Sequence, residues 1–242
     1  MTSVYRKSFT ISQLHSDCHG YAKPSVLLYF AQEVAGFHCE ALVPEHPEQL
    51  FWALSRNKVQ FTRFPALGET ITLETWPLPA TRVAYPRSTI AYDEMGNEIF
   101  RAISLWVLMD KDSRSLVLPK KSGVNVPGIL RGNELTVPHS ILPVPLKNQN
   151  IRTVCYTDLD QNRHMNNTRY LDWVADLLPS AFWKAHPLKE LTVCYLSEAL
   201  EGQLLSLNWE LLDGPCLQVE ALRQGEISGE KLDRVFSCQL LF

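Results

Sequence analysis

The sequence lacks an apolar run long enough to cross a membrane and an apolar leader at its start. A transmembrane helix needs about 20 consecutive apolar residues. The chain begins Met1-Thr-Ser-Val-Tyr5, which has no signal-peptide core. We therefore expect a cytoplasmic location. Neither sign of charge dominates, since 23 basic and 26 acidic side chains leave a formal charge of −3. That balance gives no global attraction to nucleic acid or to an anionic membrane.

Paired cysteines are also lacking. None of the six cysteines belongs to a C-x-x-C pair; they are Cys18, Cys39, Cys155, Cys194, Cys216 and Cys238. This spacing argues against a structural zinc site. In a chain of this length and expected location, scattered cysteines are typical of reduced thiols in the core.

Proline and glycine are concentrated in one segment, residues 119–148, which contains five prolines and three glycines. Proline removes a backbone donor and glycine weakens regular structure, so an irregular connection is predicted there. The chain is thereby divided into residues 1–118, a linker at 119–148, and residues 149–242.

Both halves follow one plan of an extended segment, a helix and several strands. In the first half, Pro24 suits a first helical position. Apolar residues then recur at helical spacing, as Leu27, Phe30, Ala31, Val34 and Phe37. Strand-like runs follow at Trp52–Phe61, Glu69–Trp76, Arg82–Tyr92 and Glu98–Met109.

The second half repeats this order. After an extended piece at Ile151–Tyr156, a helix is predicted with Tyr170, Val174, Leu177 and Ala181 on one face. Strand-like runs return from Leu191 onward. Asp17 and Asp160, 143 positions apart, each precede their helix by the same distance. This order predicts an α+β protein, a tandem double hotdog in which each half wraps a curved antiparallel sheet round a central helix.

The densest polar cluster is Tyr156–Tyr170, where Asp160, Asn162 and His164 alternate. In an extended segment, alternate side chains share a side. A carboxylate, an amide and an imidazole would then converge where a helix begins, beside free N–H groups that suit a developing oxyanion. An imidazole can also move protons near neutral pH. The simpler alternative is a helix-capping loop.

The run Asp-Leu-Asp-x-Asn-x-His-x-Asn-Asn-x-x-Tyr strongly resembles the active-site motif of acyl-acyl carrier protein (acyl-ACP) thioesterases. The resemblance covers nearly the whole chain. Supporting stretches are Tyr29–Gly36, Trp52–Arg56, Gly68–Pro77 and Ala102–Asp110. It implies the hydrolysis of fatty acyl-ACP to a free fatty acid, which terminates fatty acid synthesis, with acyl carrier protein as partner.

The resemblance extends to a second active-site segment, Leu191–Ala199. Glu198 matches the family's catalytic glutamate, whereas Ala199 stands where many plant members have cysteine. Cys194 lies at an odd offset that favours a core thiol. The implied mechanism is therefore direct hydrolysis without metal or organic cofactor. In it, Glu198 or Asp160 activates a water together with His164, and Asn162 holds the carbonyl.

The resemblance also assigns the acyl pocket to the first-half helix, at Leu27, Phe30, Ala31 and Val34. The same residues could simply fill the core. Other functions stay open: an acyl-CoA thioesterase, a hotdog lyase, or a non-catalytic acyl-binding protein. Chain-length preference, saturation preference and the formation of a homodimer are not determined by the sequence.

Overall fold

The polypeptide divides within its Pro/Gly-rich connection. The computed structural model describes residues 3–45, 47–224 and 233–242. Contacts separate two units, Met1–Pro138 and His139–Phe242. The boundary falls inside the predicted linker, so each unit contains part of it. Among the described residues, no helix has the length and apolar character needed to span a membrane.

Unit 1 contains an antiparallel sheet in the order β1-β3-β4-β5-β2, with the short β6 paired to β5. The strands are β1 (Tyr5–Thr10), β2 (Leu50–Phe61), β3 (Thr70–Pro77), β4 (Tyr85–Tyr92), β5 (Glu98–Asp110) and β6 (Leu116–Val117). The four strand runs predicted after the first helix are confirmed to within a few residues at each end. Alternating burial along β1 shows that only one of its faces meets the core.

Helix α1 (Pro24–Leu42) packs against β3 and β1. It begins at Pro24 as predicted, because the fixed φ of proline suits the first helical turn. Its apolar stripe is buried, with Leu27 and Val34 fully inaccessible. Phe37 differs from the prediction. It is 42% exposed, and it lies at the edge of the stripe against Tyr5 and the Lys7 ammonium.

The first part of the connection lies along one end of β3. After the single turn α2 (Pro119–Ser122), the Ile129 N–H donates to the Pro77 carbonyl at 2.9 Å. The Glu134 carboxylate accepts from the Trp76 indole at 3.2 Å. A Cβ at Gly128 would lie 2.3 Å from the backbone of Leu78. Glycine is therefore required where this segment crosses the chain.

Unit 2 contains antiparallel strands in the order β8-β11-β10-β9-β7. Its strands are β7 (Asn148–Thr153), β8 (Glu190–Tyr195), β9 (Leu204–Leu212), β10 (Cys216–Arg223) and β11 (Arg234–Leu241). Helices α3 (Arg169–Ala175) and α4 (Ser180–Ala185) precede β8. The Tyr170 ring of α3 packs on Phe236 of β11, with centroids 4.7 Å apart.

The single long helix predicted for this half is wrong. Helix α3 ends at Ala175, and α4 begins after Pro179. Proline disfavours helical conformation in the residue before it, which separates the two helices. Consequently Leu177 lies in the intervening turn, and Ala181 is exposed rather than on a buried face.

The two units repeat each other in local detail. Strands β1 and β7 are 143 residues apart at both ends, and so are the 3-10 turns Gln13–His15 and Tyr156–Asp158. In each copy an aspartate begins the next turn. The Asp17 N–H donates to the carbonyl of Tyr21 at 2.8 Å, and the Asp160 N–H to that of His164 at 2.9 Å. This shared hydrogen-bond pattern supports an internal duplication.

Candidate active site

The polar motif of unit 2 forms a tight turn. Asp160 N–H bonds to the His164 carbonyl and Arg163 N–H bonds to the Asp160 carbonyl, both at 2.9 Å. Arg163 adopts φ +64°. The Asp160 carboxylate accepts the N–H of Asn162 at 2.8 Å. An aspartate that bonds the backbone two residues ahead nucleates a turn, so the predicted extended conformation is wrong.

This turn removes the reason for expecting the side chains of Asp160, Asn162 and His164 to converge. Because residues 160–164 are not extended, alternate side chains are not brought to one side by strand geometry. Oδ1 of the Asp160 carboxylate binds its own turn, and the side chain of Asn162 is exposed. The catalytic roles of Asp160 and Asn162 stay predictions.

His164 meets Glu198, as predicted. His164 Nε2 lies 3.3 Å from Glu198 Oε2, with the two side chains 17% and 43% exposed. The contact follows from the backbone, since residue 164 forms an antiparallel bridge with Leu200. In addition, Met165 N–H donates to the Ala199 carbonyl at 2.8 Å. A half-buried imidazole beside a solvent-accessible carboxylate can accept and relay a proton from water.

Arg223, which sequence reasoning missed, holds the segment that carries Glu198. Its Nη2 donates to the Ser197 hydroxyl at 3.2 Å and to the Glu198 carbonyl. Its Nη1 pairs with Asp233 at 2.6 Å. Arg223 lies at the end of β10, and no motif in its neighbourhood indicated this role. The backbone of Glu198 is therefore fixed while its carboxylate stays accessible.

Comparison with known proteins identifies the family. Residues 2–120 match the model of the acyl-ACP thioesterase N-terminal domain, and residues 146–228 match that of the C-terminal domain. The chain belongs to the acyl-ACP thioesterase family. The predicted resemblance is thereby confirmed, and the two matched domains lie in the two halves of this chain.

Similar proteins include a chloroplastic palmitoyl-acyl carrier protein thioesterase of Gossypium hirsutum. It is 27% identical over 221 residues, which cover 84% of this chain and 54% of the relative. The oleoyl-acyl carrier protein thioesterase of Coriandrum sativum is 26% identical, over 80% of this chain and 59% of its own length. The chain thus spans little more than half the length of these curated relatives.

Solved structures share the fold. An acyl-ACP thioesterase from Bacteroides thetaiotaomicron superposes with a TM-score of 0.87 at 22% identity, covering 99% of this chain and 98% of that one. The 12:0-ACP thioesterase from Umbellularia californica gives 0.81 at 20% identity, covering 100% and 97%. The predicted α+β tandem hotdog fold is confirmed.

Asp158, also missed by the sequence reasoning, fixes the start of the loop that carries the polar motif, here called the motif loop. It is 5% exposed, and its Oδ2 accepts the Cys155 N–H at 3.0 Å. Its Oδ1 lies 3.5 Å from Arg169 Nε. Its carbonyl accepts from Asn166 N–H at 2.8 Å. The first aspartate of the Asp-Leu-Asp motif is therefore a positioning residue, and it ties the 3-10 turn to the start of α3.

The backbone donors at the start of α3 are already engaged. Thr168 N–H bonds to the Asn166 side chain, and Arg169 N–H bonds to the Asn166 carbonyl, both at 2.9 Å. Leu171 N–H bonds to the Thr168 carbonyl at 3.1 Å. The prediction that helix-start N–H groups hold the oxyanion is wrong for these three donors, because the capping loop uses them.

Two tyrosines, Tyr170 and Tyr195, pack against each other next to the motif loop. Burial raises the pKa of Tyr170 and of Tyr195 well above the usual value, so both phenols stay protonated at neutral pH. The Tyr195 hydroxyl donates to the Asn167 carbonyl at 2.9 Å. Their ring centroids are 5.8 Å apart, and they support α3 on the sheet.

Only some of the cysteines are buried in the core, as was predicted for all of them. All six are free; Cys194, Cys216 and Cys238 are buried as predicted. Burial raises the pKa of Cys238 well above its usual range, which disfavours a thiolate. The prediction is wrong for Cys18 and Cys155, which are exposed.

Unit 1 contains an open cavity of about 90 Å³. Helix α1 contributes Ala35, Gly36 and Cys39 to its wall. The predicted acyl-binding residues are located in the preceding turns of α1. All four of them are buried, and none lines this cavity; they are Leu27, Phe30, Ala31 and Val34. Their role in acyl binding stays a prediction.

Proposed function

We propose that this acyl-ACP thioesterase family member hydrolyses the thioester of fatty acyl-ACP and releases a free fatty acid, which terminates fatty acid synthesis. The observation that carries the proposal is the contact of 3.3 Å between His164 and Glu198. It unites the two motif segments whose residues match the family's active site. Family membership supports the thioester as the bond that is cleaved.

Water is the proposed nucleophile. Glu198 and His164 together position a water and take its proton as its oxygen attacks the thioester carbonyl carbon. The carbonyl becomes an oxyanion, for which the exposed amide of Asn162 is the proposed donor. Collapse of this intermediate breaks the C–S bond, and the thiolate leaves and takes up a proton. Glu198 is preferred over Asp160 as the base, since Asp160 Oδ1 already accepts a backbone hydrogen bond.

No cysteine takes part in this proposal. Ala199, beside Glu198, has no thiol and is fully buried. The Cys194 thiol is buried too, and its Sγ contacts the His139 carbonyl at 3.9 Å. Neither position offers an exposed thiolate next to His164.

The proposed acyl site is in unit 1. Leu27, Phe30, Ala31 and Val34 of α1 remain the candidate chain-binding residues, and Ala35 extends the same side of the helix into the cavity. The chain-length preference should accordingly depend on unit 1. The cytoplasmic location stays a prediction, and homodimer formation stays open.

Acyl carrier protein is the proposed partner, held by local basic side chains because the chain carries a net charge of −3. The sequence candidates are Lys120, Lys121, Arg131, Lys147, Arg163 and Arg169. The structure favours three of them. Lys120, Lys121 and Arg163 are exposed. The other three already pair with a carboxylate: Arg131 with Glu74 at 2.8 Å, Lys147 with Glu210 at 3.6 Å, and Arg169 with Asp172 at 2.6 Å.

A matched hydrolysis assay tests the function. Catalytic efficiency should be measured on acyl-ACP and acyl-CoA of the same chain length, at low and high salt. We expect acyl-ACP to be preferred and its rate to fall with salt, since exposed charges are screened within about 8–10 Å near physiological ionic strength. Equal rates on both carriers without salt dependence would favour the acyl-CoA alternative. No hydrolysis of either would favour the non-catalytic or lyase alternatives.

A further inference from the structure

Unit 1 buries an arginine, Arg87, that has no acidic partner among the residues that the structure describes. Arg87 of β4 is 6% exposed. Its Nη1 contacts His38 Nδ1 at 3.0 Å and the Thr75 hydroxyl at 3.3 Å. Both contacts use one nitrogen of a group that carries five N–H donors. Across residues 3–45, 47–224 and 233–242, no carboxylate pairs with Arg87, and Nε and Nη2 have no protein partner.

The neighbours of the guanidinium are neutral. Burial raises the pKa of the Cys39 thiol, so no thiolate balances the charge at neutral pH. His38 Nδ1 must accept from Nη1, which requires an uncharged imidazole. Burial lowers the pKa of Arg87 to about 10, so the group remains a cation near pH 7. Folded proteins normally pair a buried charge, because an uncompensated one is strongly destabilising.

Arg87 also lines the open cavity of unit 1. The rest of the wall is largely apolar and aromatic, with Trp52, Tyr85 and Trp106 among its residues. Gly36 keeps the helix side open, since a Cβ there would meet nothing within 4 Å. An apolar cavity with one cationic group is complementary to an amphiphile that carries a single negative charge.

We propose that this cavity binds an aliphatic carboxylate, whose head group accepts from Nε and Nη2 of Arg87 and whose chain packs on the aromatic wall. Guanidinium and carboxylate match in a paired, charge-assisted arrangement. Two sources supply this chemistry: a free fatty acid, or an acyl group that bears a second carboxylate at its far end. The inference goes beyond the proposed function, and its binding test does not depend on hydrolysis.

A binding experiment separates the contribution of the ligand's carboxylate charge from that of its aliphatic chain. Decanoate, 1-decanol and acetate should be titrated into the full chain by calorimetry, with tryptophan fluorescence as a second readout because Trp52 and Trp106 line the cavity. We expect decanoate to bind at least about tenfold more tightly than 1-decanol, and acetate to bind weakly. Equal affinity for decanoate and decanol would overturn the proposal, and so would acetate binding as tightly as decanoate.

Amino-acid substitutions test whether Arg87 is responsible for the binding of decanoate. Arg87→Gln should weaken decanoate binding about tenfold or more and change decanol binding by less than about threefold. Arg82→Gln, an exposed arginine just before the same strand, is the matched control and should change neither. Unchanged decanoate binding in folded Arg87→Gln would overturn the proposal. If that variant does not fold, Gly36→Leu keeps Arg87 and fills the cavity; undiminished decanoate binding there would overturn it equally.

A kinetic experiment, which rests on the proposed function, distinguishes the free fatty acid from the acyl group with a second carboxylate. Decanoyl thioester should be compared with its ω-carboxy analogue in wild type and Arg87→Gln. A preference for the ω-carboxy substrate that disappears in the variant identifies the acyl chain as the source. Arg87-dependent decanoate binding without such a preference identifies the free acid. Absence of both effects overturns the proposal, whereas failure of all hydrolysis with intact binding affects the proposed function alone.

Discussion

Removing the Asp158 side chain should loosen the motif loop and lower both stability and activity. The Asp158 carboxylate is almost inaccessible, and it bonds Cys155 N–H at 3.0 Å and lies 3.5 Å from Arg169 Nε. Asp158→Ala removes both interactions and leaves the Cys155 N–H without its acceptor, while Arg169 keeps its ion pair with Asp172. Asp158→Asn retains an oxygen for Cys155 N–H and loses only the charge. The two variants therefore separate the hydrogen bond from the ion pair.

The expected magnitudes follow from those contacts. A hydrogen bond contributes about 0.5–1.5 kcal/mol, and one to a charged group about 1.5–3 kcal/mol. We expect about 2–4 kcal/mol of destabilisation for Asp158→Ala and about 1–2 kcal/mol for Asp158→Asn. In a chain of this size 1 kcal/mol lowers Tm by roughly 2–4 °C, so the alanine variant should melt about 5–15 °C below wild type. The kcat should fall by about tenfold or more, because the loop carries His164.

The assay combines thermal denaturation with thioester hydrolysis below both melting temperatures. Asp176→Asn is the matched control. Its ion pair with Arg152 has a similar N–O distance of 2.9 Å, but the Asp176 side chain is 62% exposed. Exposed pairs contribute about 0–1 kcal/mol, so this variant should behave like wild type. An Asp158→Ala variant that melts within about 1 °C of wild type and keeps its kcat would refute the positioning role.

Three further predictions concern packing and chemistry. Gly128→Ala should lower the free energy of unfolding by about 1–3 kcal/mol, because its Cβ would lie 2.3 Å from the backbone of Leu78. The control Gly36→Ala should be neutral or stabilising. Equal Tm values for the two variants would contradict this prediction. Ala35→Leu should shorten the preferred acyl chain more than Ala31→Leu, at about 0.8 kcal/mol per methylene that can no longer be buried; an unchanged chain-length profile in both would count against the acyl site. Cys155→Ser should retain activity, and a trapped acyl-cysteine would disprove hydrolysis without a thiol.

Periodicity and the motif together predicted most of the fold and the central contact of the candidate site. Apolar spacing located α1 and the strands of both halves, because burial on one face imposes a fixed repeat. The match of Glu198 to the second motif segment predicted its contact with His164, which the structure confirms. That contact joins residues 34 positions apart, and local spacing alone does not reveal it.

The errors have local physical causes. The Asp160 side chain competes for backbone donors, so a segment that alternates like a strand folds into a turn. Pro179 interrupts the predicted helix although the residues round it have helical spacing. Arg223 and Asp158 were missed because their roles depend on backbone atoms from other segments, which no side-chain pattern encodes.

A double-mutant cycle on acyl-ACP hydrolysis tests the central claim most directly. Wild type, His164→Ala, Glu198→Gln and the double variant should be compared by kcat, with folding checked by thermal denaturation and His139→Ala as the control for an exposed histidine in the same unit. We predict that each single variant loses about 10²–10⁴-fold in kcat and that the double variant loses no more than the worse single one. A folded His164→Ala or Glu198→Gln that keeps roughly half of wild-type kcat, or losses that multiply in the double variant, would contradict joint activation of water by this pair.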